Sequence, residues 1–598
     1  MGAVVEYSTR TPKDFEAEIK ATGVRQPWSY LGAQGNYGAE QLSAHLGGAE
    51  NGLSWTASLN HADTRSQPLT FPNRLLSSGT TPTSSGQIVS GAEEGLNPRN
   101  QAWLLLGTGS EYHSTQTLAK GKLQWRGDTL NAQLTLANWL NHGERLAHSF
   151  LRNSSGQEVN SGNVVIAGRQ YALTASDFAP VRVASEHTLW GLRLGNNNKS
   201  AVNWQVNASQ YRYGQDDSFT PTVVATGNAG PGAGRATQLA GSGWENLAIK
   251  LNTQATPQHT LEGGVQLDRF HLRQQVNNLS DWRDPGSNLS QASYFGGDTS
   301  LGSLWLQDHY RAEQLRATVG ARLEQWQAHD GRINTVILGG RKQNALSPKL
   351  ALGWWFDDTH SINLATAKST RFPTVSELYQ GSIGATGLVV SNDPNLKPER
   401  SHTTELSYEI NTAHSKSRLT AFYENTFDAL YSQTNVTVTP NVVNIQNVDH
   451  IRTQGIEGKF EAQNVLFKGL QLAASLTYAN SLIVANRNFP DSVGKLQPRV
   501  PRWRGNVNLN YALSEHSKLN LGLRYSGKQF NTLDNADPNG MAYTGTSQFL
   551  VADLRVTHAF NKAWQLALGI DNINNAQYWA FHPYPQRSFM AELRWRQP

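Results

Sequence analysis

The residues of this chain that could bind a ligand lie in long polar segments, where aromatic rings stand beside hydrogen-bonding groups. The candidates are Arg371, Tyr379, Gln380, Tyr431, Gln433 and His582. Such side chains suit a flat, oxygen-rich chelate, because rings pack on its faces while amide and guanidinium groups bind its polar edge. The same composition suits loops that only pack on one another. For His582, which precedes Pro583, a rigid turn is the favoured alternative.

Catalytic motifs are not found in the sequence. There is no His-Glu-x-x-His metal helix, no P-loop, no Gly-x-Ser-x-Gly elbow and no calcium-loop spacing. The cysteine count is 0, which excludes disulfides, iron–sulfur clusters and zinc–thiolate sites. The glycines at 230, 232 and 234 have no following lysine or predicted helix, which favours a flexible loop. We therefore expect neither an enzyme nor a bound cofactor, and no metal held by the protein itself.

The composition narrows the class of protein further. The net charge is +5, from 51 basic and 46 acidic residues, and no Lys/Arg cluster points to nucleic acid. The longest apolar run, residues 102–106, is far shorter than the ~20 residues of a transmembrane helix. Hydrophobic residues are 38% of the chain, below the usual ~45–50%. A membrane β-barrel stays compatible, because only every second residue of its strands must face lipid.

Many segments alternate between apolar and polar residues, which is the period of a β-strand. In residues 588–596 one face carries Phe589, Ala591, Leu593 and Trp595, and the other carries mainly charged residues. Residues 502–511, 517–526 and 563–570 alternate in the same way. This pattern predicts three lipid-facing residues, Leu521, Leu568 and Leu593. It predicts that Asn508 and Asn520 face the lumen.

The connections between these segments are short and long in turn. Short polar turns lie near 126–128, 357–359 and 513–516, and long segments span roughly 272–301 and 429–448. The spacing predicts an all-β fold, a transmembrane antiparallel β-barrel of about 22 strands, with short periplasmic turns, long extracellular loops and both termini periplasmic. Tryptophans near strand ends are expected to mark the membrane interfaces. They are Trp125, Trp139, Trp190, Trp204, Trp244, Trp305, Trp326, Trp354, Trp355, Trp503, Trp564, Trp579 and Trp595.

Three ordered motifs in the second half of the chain carry a family resemblance. Residues 371–379 (RFPTVSELY) and 392–400 (NDPNLKPER) form the first, residues 447–457 the second, and residues 571–589 the third. They resemble the R-x-P-T-x-x-E-L-Y … N-P-x-L-K-P-E signature, a strand entry and the C-terminal ending of TonB-dependent outer-membrane receptors. Pro394 and Pro398 fix φ and donate no ladder hydrogen bond, so a structural corner is favoured there over ligand contact.

The resemblance implies a receptor in the outer membrane of a Gram-negative bacterium that takes up a metal chelate, most often a ferric siderophore. Heme, vitamin B12, another metal complex or an oligosaccharide are the alternative ligands. The implied partners are the small-molecule metal complex, outer-membrane lipid with its lipopolysaccharide, and the TonB system of the intact protein. We expect a monomer that binds no nucleic acid.

The beginning of the chain departs from the family pattern, in which a plug domain fills the barrel. Residues 1–12 resemble only the last strand of such a plug, and residues 13–598 are assigned to the barrel. On this interpretation the segment that contacts TonB is absent from the chain, which would then not perform energised import by itself. The second function class is therefore a passive open pore, which selects solutes by size and charge.

Overall fold

The fold comes from a computed structural model, in which residues 10–196, 201–223, 230–383, 389–435, 442–464 and 467–597 are described. The wall of the molecule is a closed antiparallel barrel of 22 strands. In chain order they are β1 Glu16–Tyr30, β2 Ala33–Glu50, β3 Leu53–Arg65, β4 Gly107–Arg126, β5 Leu130–Ser149, β6 Val181–Asn196, β7 Val202–Pro221, β8 Gly243–Gln254, β9 His259–Leu279, β10 Asn288–Arg311, β11 Leu315–Ile333, β12 Arg341–Trp355, β13 His360–Arg371, β14 Glu399–Asn411, β15 Ser415–Asn435, β16 Val442–Gln463, β17 Leu470–Ala485, β18 Trp503–Ala512, β19 Ser517–Ser526, β20 Phe549–Ala559, β21 Trp564–Asp571 and β22 Ser588–Arg596.

The barrel closes between its first and last strands. Glu18 of β1 lies opposite Arg596 of β22, so the beginning of β1 and the end of β22 lie at the same end of the barrel. Connections at this end are short, such as 51–52, 127–129 and 560–563, whereas the other end carries long loops such as 66–106 and 372–398. The predicted all-β antiparallel barrel of about 22 strands is thus confirmed.

The two faces of the wall differ in polarity. An apolar row crosses β18–β22 on the outer face, through Leu509, Leu521, Leu554, Ile570 and Phe589. The adjacent row on the inner face contains Asn510, Asn520 and Arg555. The outer face carries Leu521, Leu568 and Leu593 and the inner face Asn508 and Asn520, as predicted. An apolar exterior around a polar lumen is the pattern of a membrane barrel.

The prediction that strand-end tryptophans mark the membrane interfaces is partly wrong. A strand end brings a ring to the interface only when the two-residue alternation turns that side chain outward. The outer face carries Trp125, Trp190, Trp204, Trp354, Trp503, Trp564 and Trp595. The inner face carries Trp139, Trp244, Trp305, Trp326 and Trp355. Trp579 is buried between loops.

Some strands extend farther than their alternation suggests. The hairpins β9–β10 and β15–β16 occupy most of the segments 272–301 and 429–448, which were predicted to be loops. Ladder hydrogen bonding continues there, but both faces leave the lipid, and the apolar alternation is lost.

The barrel also begins with two-residue turns at Leu31-Gly32 and Asn51-Gly52. Both residues of each turn have positive φ, as a type I′ hairpin turn requires.

Loops 66–106 and 150–180 form a folded cap on the long-loop end. Its strands are Asn73–Leu75, Gln87–Ile88, Glu93–Leu96, Ala102–Leu105, Gly162–Ile166 and Arg169–Leu173. Its core contains Leu104, Leu106, Leu151, Val164, Tyr171 and Phe178. Arg74 ties the two loops together by donating to both carboxylate oxygens of Asp177, at 3.0 and 2.7 Å. Burial raises the pKa of Asp177, but the hydrogen bonds and charge of Arg74 outweigh it and hold that pKa below its usual value.

The remaining short elements lie in other loops, except for one 3-10 turn, Leu76–Ser78, which lies in the cap. They are the strands Gly234–Gln238, Val336–Ile337, Gly381–Ile383, Val389–Ser391, Trp579–Ala580 and His582–Pro583, the 3-10 turns Leu76–Ser78 and Pro490–Ser492, and the helix α1 Val375–Tyr379.

Only the end of the predicted plug remnant can be located, because residues 1–9 lie outside the described residues. Residues 10–12 run along the inner face of β4. Thr11 donates to Gln124 at 3.0 Å, and Lys122 donates to the carbonyl of Arg10 at 2.9 Å. The division of the chain between residues 12 and 13 stays a prediction.

Candidate ligand-binding surface

The loop that follows β13 begins with a short, well-capped helix. The sequence Thr-x-x-Glu is a capping box, and both of its hydrogen bonds form. Thr374 Oγ1 accepts from the Glu377 amide at 3.2 Å, and a Glu377 carboxylate oxygen accepts from the Thr374 amide at 2.9 Å. Glu377 also forms an ion pair with Arg371. The guanidinium of Arg371, a predicted ligand contact, is therefore engaged by its own loop, although its side chain is 46% exposed.

The end of α1 is buried in the mouth of the barrel. Leu378 and Tyr379 are 0% and 2% exposed, and they pack on Leu272 and on Trp326 of the inner wall. The ring of Tyr379 lies over Gly297 and Gly331, where an added Cβ would come within 2.3 and 2.7 Å of it. Burial raises the pKa of the Tyr379 hydroxyl. The structure thus places Tyr379 in a packing core, whereas Gln380, the next residue, is exposed.

The second part of the loop is held by side chains from two other strands. Arg341 of β12 donates to the carbonyls of Pro394 and Leu396, at 2.5 and 2.8 Å. Asn447 of β16 accepts from the Lys397 amide at 2.9 Å and donates to the Lys397 carbonyl at 3.0 Å. The first sequence motif therefore spans one interlocked segment, here called the docked loop (residues 372–398), and Asn447 of the second motif holds it in place. These contacts support the structural corner inferred from the two prolines.

Tyr431 and Gln433 lie on β15, beside the strand that supplies Asn447. The Tyr431 hydroxyl accepts a hydrogen bond from Gln497. Gln433 is 4% exposed; it donates to the Asn447 carbonyl at 3.2 Å and accepts from Asn486 at 2.8 Å. Both predicted contacts thus join β15 to its neighbours in this structure.

His582 belongs to a different part of the long-loop end. Its Nδ1 lies 2.7 Å from the carbonyl oxygen of Leu69, and its ring lies against Tyr543 and Phe581. This group packs beside a cluster that contains Phe71 and Trp579. The predicted site residues therefore fall into three groups. Arg371, Tyr379 and Gln380 lie at the end of β13 and in the docked loop, Tyr431 and Gln433 lie on β15, and His582 lies in the loop 572–587.

The inner wall carries an aromatic surface whose members lie far apart in the sequence. Neighbouring strands β5–β9 present it as one row just below the loops, here called the lumenal aromatic row. His187 stacks on Tyr213 with ring centroids 4.0 Å apart and lies 5.1 Å from Trp139, and Tyr211 stacks on Trp244 at 6.0 Å. Its members are Trp139, His187, Tyr211, Tyr213, Trp244 and Phe270.

Hydrogen bonds hold some rings of this row in place, whereas another ring is exposed to the lumen. His187 is 7% exposed, with Nδ1 at 2.7 Å from the Tyr211 hydroxyl and Nε2 at 3.2 Å from Asp216. Phe270, opposite Trp244 on the next strand, is 39% exposed. A wall of fixed rings with an exposed aromatic edge can stack against flat or apolar parts of a ligand.

A comparison with known families decides the family of this barrel. A family model described as TonB dependent receptor-like, beta-barrel matches residues 54–573. The chain belongs to this TonB-dependent receptor family. Its members are receptors and transporters of the Gram-negative outer membrane rather than enzymes. No curated protein matches the sequence.

Solved structures of TonB-dependent receptors share the fold at low sequence identity. The ferric citrate transporter FecA has a TM-score of 0.65 at 15% identity, covering 99% of this chain and 80% of its own. The copper transporter OprC has 0.63 at 13%, covering 99% and 81%. The siderophore receptor PirA from Pseudomonas aeruginosa has 0.59 at 13%, covering 99% and 82%. At these identities the likeness shows the fold alone.

Within this receptor barrel, the only described group of side chains with metal-ligand spacing lies on the outer wall. It consists of Asp298, His329 and Asp330. The Asp298 carboxylate already lies 2.6 Å from Arg273 and 3.0 Å from Arg269, so two guanidinium groups compete with any cation.

In the part of the chain that the structure describes, no helix is long and apolar enough to cross a membrane.

Proposed function

We propose that this receptor barrel takes up a ferric siderophore across the outer membrane, coupled to TonB in the intact protein. The lumenal aromatic row carries the proposal. It lies on the inner wall below the loops, on the path of a ligand that enters from the long-loop end. Siderophores present flat or apolar groups around the metal, and fixed aromatic rings bind such groups with little loss of conformational entropy.

The donor groups of the chain favour a chelate over a bare metal ion. The sequence contains 3 methionines and 0 cysteines, so soft ligands for copper are scarce. Both ring nitrogens of His187, the histidine of the aromatic row, lie within 3.2 Å of side-chain oxygens of the protein. A ligand that brings its own metal-binding oxygens needs only stacking and hydrogen bonds from such a wall.

The test combines binding and transport. Purified protein is titrated with a ferric tris-catecholate, a ferric tris-hydroxamate, heme and vitamin B12, and binding is followed by quenching of tryptophan fluorescence. Uptake of the iron isotope is measured in a receptor-deletion strain that expresses the full-length gene, with and without TonB. We expect binding of at least one ferric chelate and uptake that requires TonB.

Two outcomes would replace the proposal. Binding of heme or vitamin B12 alone would assign one of those ligands. Large steady conductance in planar bilayers, together with iron uptake that does not require TonB, would support the passive pore. In that case the aromatic row would only line a water-filled lumen.

A further inference from the structure

The upper wall of the barrel has an unpaired seam between β12 and β13. These strands pair over only seven residues, and the last pair is Lys349 with Ala367. Above it, toward the long loops, the described wall pairs residues 341–348 of β12 only with β11 and residues 368–371 of β13 only with β14. The unpaired part of β12 begins at Pro348, which has no amide hydrogen to continue a ladder. These two unpaired edges are here called the seam.

The lower part of the seam lies at the depth of the lipid. Leu346, in the unpaired part of β12, is 49% exposed on the outer face. It stands in one row with three other exposed residues of the neighbouring strands, namely Leu323, Leu304 and Val265. Hydrocarbon offers no hydrogen bonds to backbone groups, so an open sheet edge at this depth is unfavourable. The seam therefore needs cover from another part of the chain or from a ligand.

On the inner side, the docked loop provides part of this cover. Its first residue, Phe372, follows β13 directly and stacks on Trp326 of β11, with ring centroids 5.6 Å apart and planes 6° apart. The contact reaches across β12, which lies between those two strands. Arg341, in the unpaired part of β12, donates to two carbonyl groups of the same loop. These contacts, rather than a ladder, join the two edges of the seam.

The same part of the inner wall connects the seam with the lumenal aromatic row. The register leads from Phe270, the exposed ring of the row, to Thr299 of β10 and from there to Ala328 of β11. Ala328 in turn lies opposite Arg341 at the seam. The buried residues of α1 pack in one apolar cluster with Leu272 and Ala328 on this stretch of wall. Movement of α1 away from the wall would thus uncover an apolar track between the aromatic row and the seam.

On the outer side, an apolar groove of about 790 Å³ crosses the wall where the ladder ends. Pro348 and Ala367 line the groove at the seam, and Leu350, Val319 and Leu306 line it toward the short turns. The last two side chains are 56% and 63% exposed. Such a slot suits a hydrocarbon chain, which brings no polar group that would need a partner.

We propose that the seam admits the tail of an acylated ferric chelate, with the chelate in the lumen beside the aromatic row and the tail in the outer groove. This inference rests on the proposed function and extends its substrate class to amphiphilic chelates that are held in the outer leaflet. The route opens when α1 leaves the wall, and the tail then covers strand edges that otherwise face hydrocarbon. A chelate without a tail enters from the long-loop end and does not use the seam.

The test links the two edges of the seam covalently, which is specific because the chain contains 0 cysteines. Extending the register of β12 and β13 by two residues brings Ser347 opposite Ser369. Ser347→Cys/Ser369→Cys is therefore joined by a short bis-methanethiosulfonate linker, which dithiothreitol removes. The matched control is Ser369→Cys/Ser401→Cys, whose positions are already paired between β13 and β14. Heat-modifiable migration on gels confirms that each variant folds.

Each form of the full chain is titrated in detergent with two synthetic ferric tris-hydroxamates. One is plain, and the other carries a dodecanoyl chain that ends in a diazirine. A corresponding pair of ferric tris-catecholates is tested in the same way. Quenching of tryptophan fluorescence measures binding of the chelate, and irradiation followed by peptide mapping shows where the tail lies.

We expect the tail to label peptides that contain Leu306 or Val319. Linking the seam should abolish this label, dithiothreitol should restore it, and the control linkage should leave it unchanged. Binding of the plain chelate should be the same in every form. Groove labelling that survives linkage of the seam would overturn the proposal. Equal loss of both chelates on linkage would also overturn it, because the seam would then affect the whole site.

The two proposals fail in different ways. If no chelate of either pair quenches the fluorescence of the original protein, the proposed function is rejected, and the inference falls with it. If the plain chelate binds but the acylated one labels only peptides outside the groove, the inference alone is rejected.

Discussion

The docked loop and the lumenal aromatic row are close in the barrel mouth but differ in their chemistry. In the docked loop, Leu378 and Tyr379 are buried and the backbone near Lys397 is held by Asn447. In the aromatic row, the rings lie on the lumenal face of the wall, and Phe270 is 39% exposed. The most recognisable sequence motif thus stabilises the chain, whereas the surface open to a ligand carries no motif.

The largest effect is expected from truncating the buried ring of the docked loop. Tyr379→Ala should lower the free energy of local opening of α1 by about 3–5 kcal/mol, because removal of the large ring leaves a cavity over Gly297 and Gly331. Hydrogen exchange at residues 375–379 measures this free energy. Tyr379→Phe keeps the ring and should behave almost as the original protein. If the alanine variant exchanges no faster, the loop is not held by this packing.

A charge on the lipid face should cost less than the lost ring, and it tests which face is the lumen. Leu568→Arg should lower the free energy of unfolding by roughly 2–4 kcal/mol if the residue lies at the bilayer midplane. Asn520→Arg, on the inner face, should be nearly neutral. Urea unfolding in liposomes measures both variants. Equal losses would show that the assignment of the two faces is wrong.

Substitution in the aromatic row should change ligand binding and leave the docked loop intact. Trp244→Ala removes the ring that stacks on Tyr211, and we expect about tenfold weaker binding of the ferric chelate, or ~1.4 kcal/mol. Titration measures the affinity, and hydrogen exchange of α1 should be unchanged. The matched control is Trp305→Ala, another lumen-facing tryptophan nearer the short-turn end. The comparison between the two regions fails if both variants weaken binding equally.

The smallest effect concerns pH and the cap. The pKa of Asp177 is lowered in the folded cap, so its ion pair with Arg74 stabilises the cap fully above the unfolded pKa of about 4. That stabilisation is lost as the pH falls through the lower, folded pKa. Hydrogen exchange at residues 164–166 should therefore accelerate below about pH 4. Arg74→Gln should make the exchange rate depend less on pH. If the variant and the original protein show the same pH dependence, the ion pair does not stabilise the cap.

Much of the fold could be predicted because it depends on local pattern. Alternation placed Leu568 and Asn520 on the correct faces, and the turn spacing gave the number of strands. Trp139 and Trp244 were assigned to the wrong face, because the sequence shows that a ring is near a strand end but not where the register turns it. A strict residue-by-residue alternation count along β5 and β8 could have found them.

The site was harder to predict, because its residues are joined by register between strands. His187 and Tyr213 are 26 positions apart, and the register between β6 and β7 places them directly opposite each other. Nothing local to either residue signals this. Residue type within a loop is the only signal that the sequence gives for Tyr379 and Gln433, and it does not show that both side chains are buried. Their role as ligand contacts stays a prediction.

The central claim is that ligand binds on the lumenal aromatic row rather than on the docked loop. The most direct measurement is an experimental structure of the protein with a ferric tris-catecholate or ferric tris-hydroxamate, whichever binds in titration. The account predicts ligand atoms within about 4 Å of Tyr213, Trp244 or Phe270. A chelate held by Gln380 and Tyr431, with no contact to the row, would contradict it.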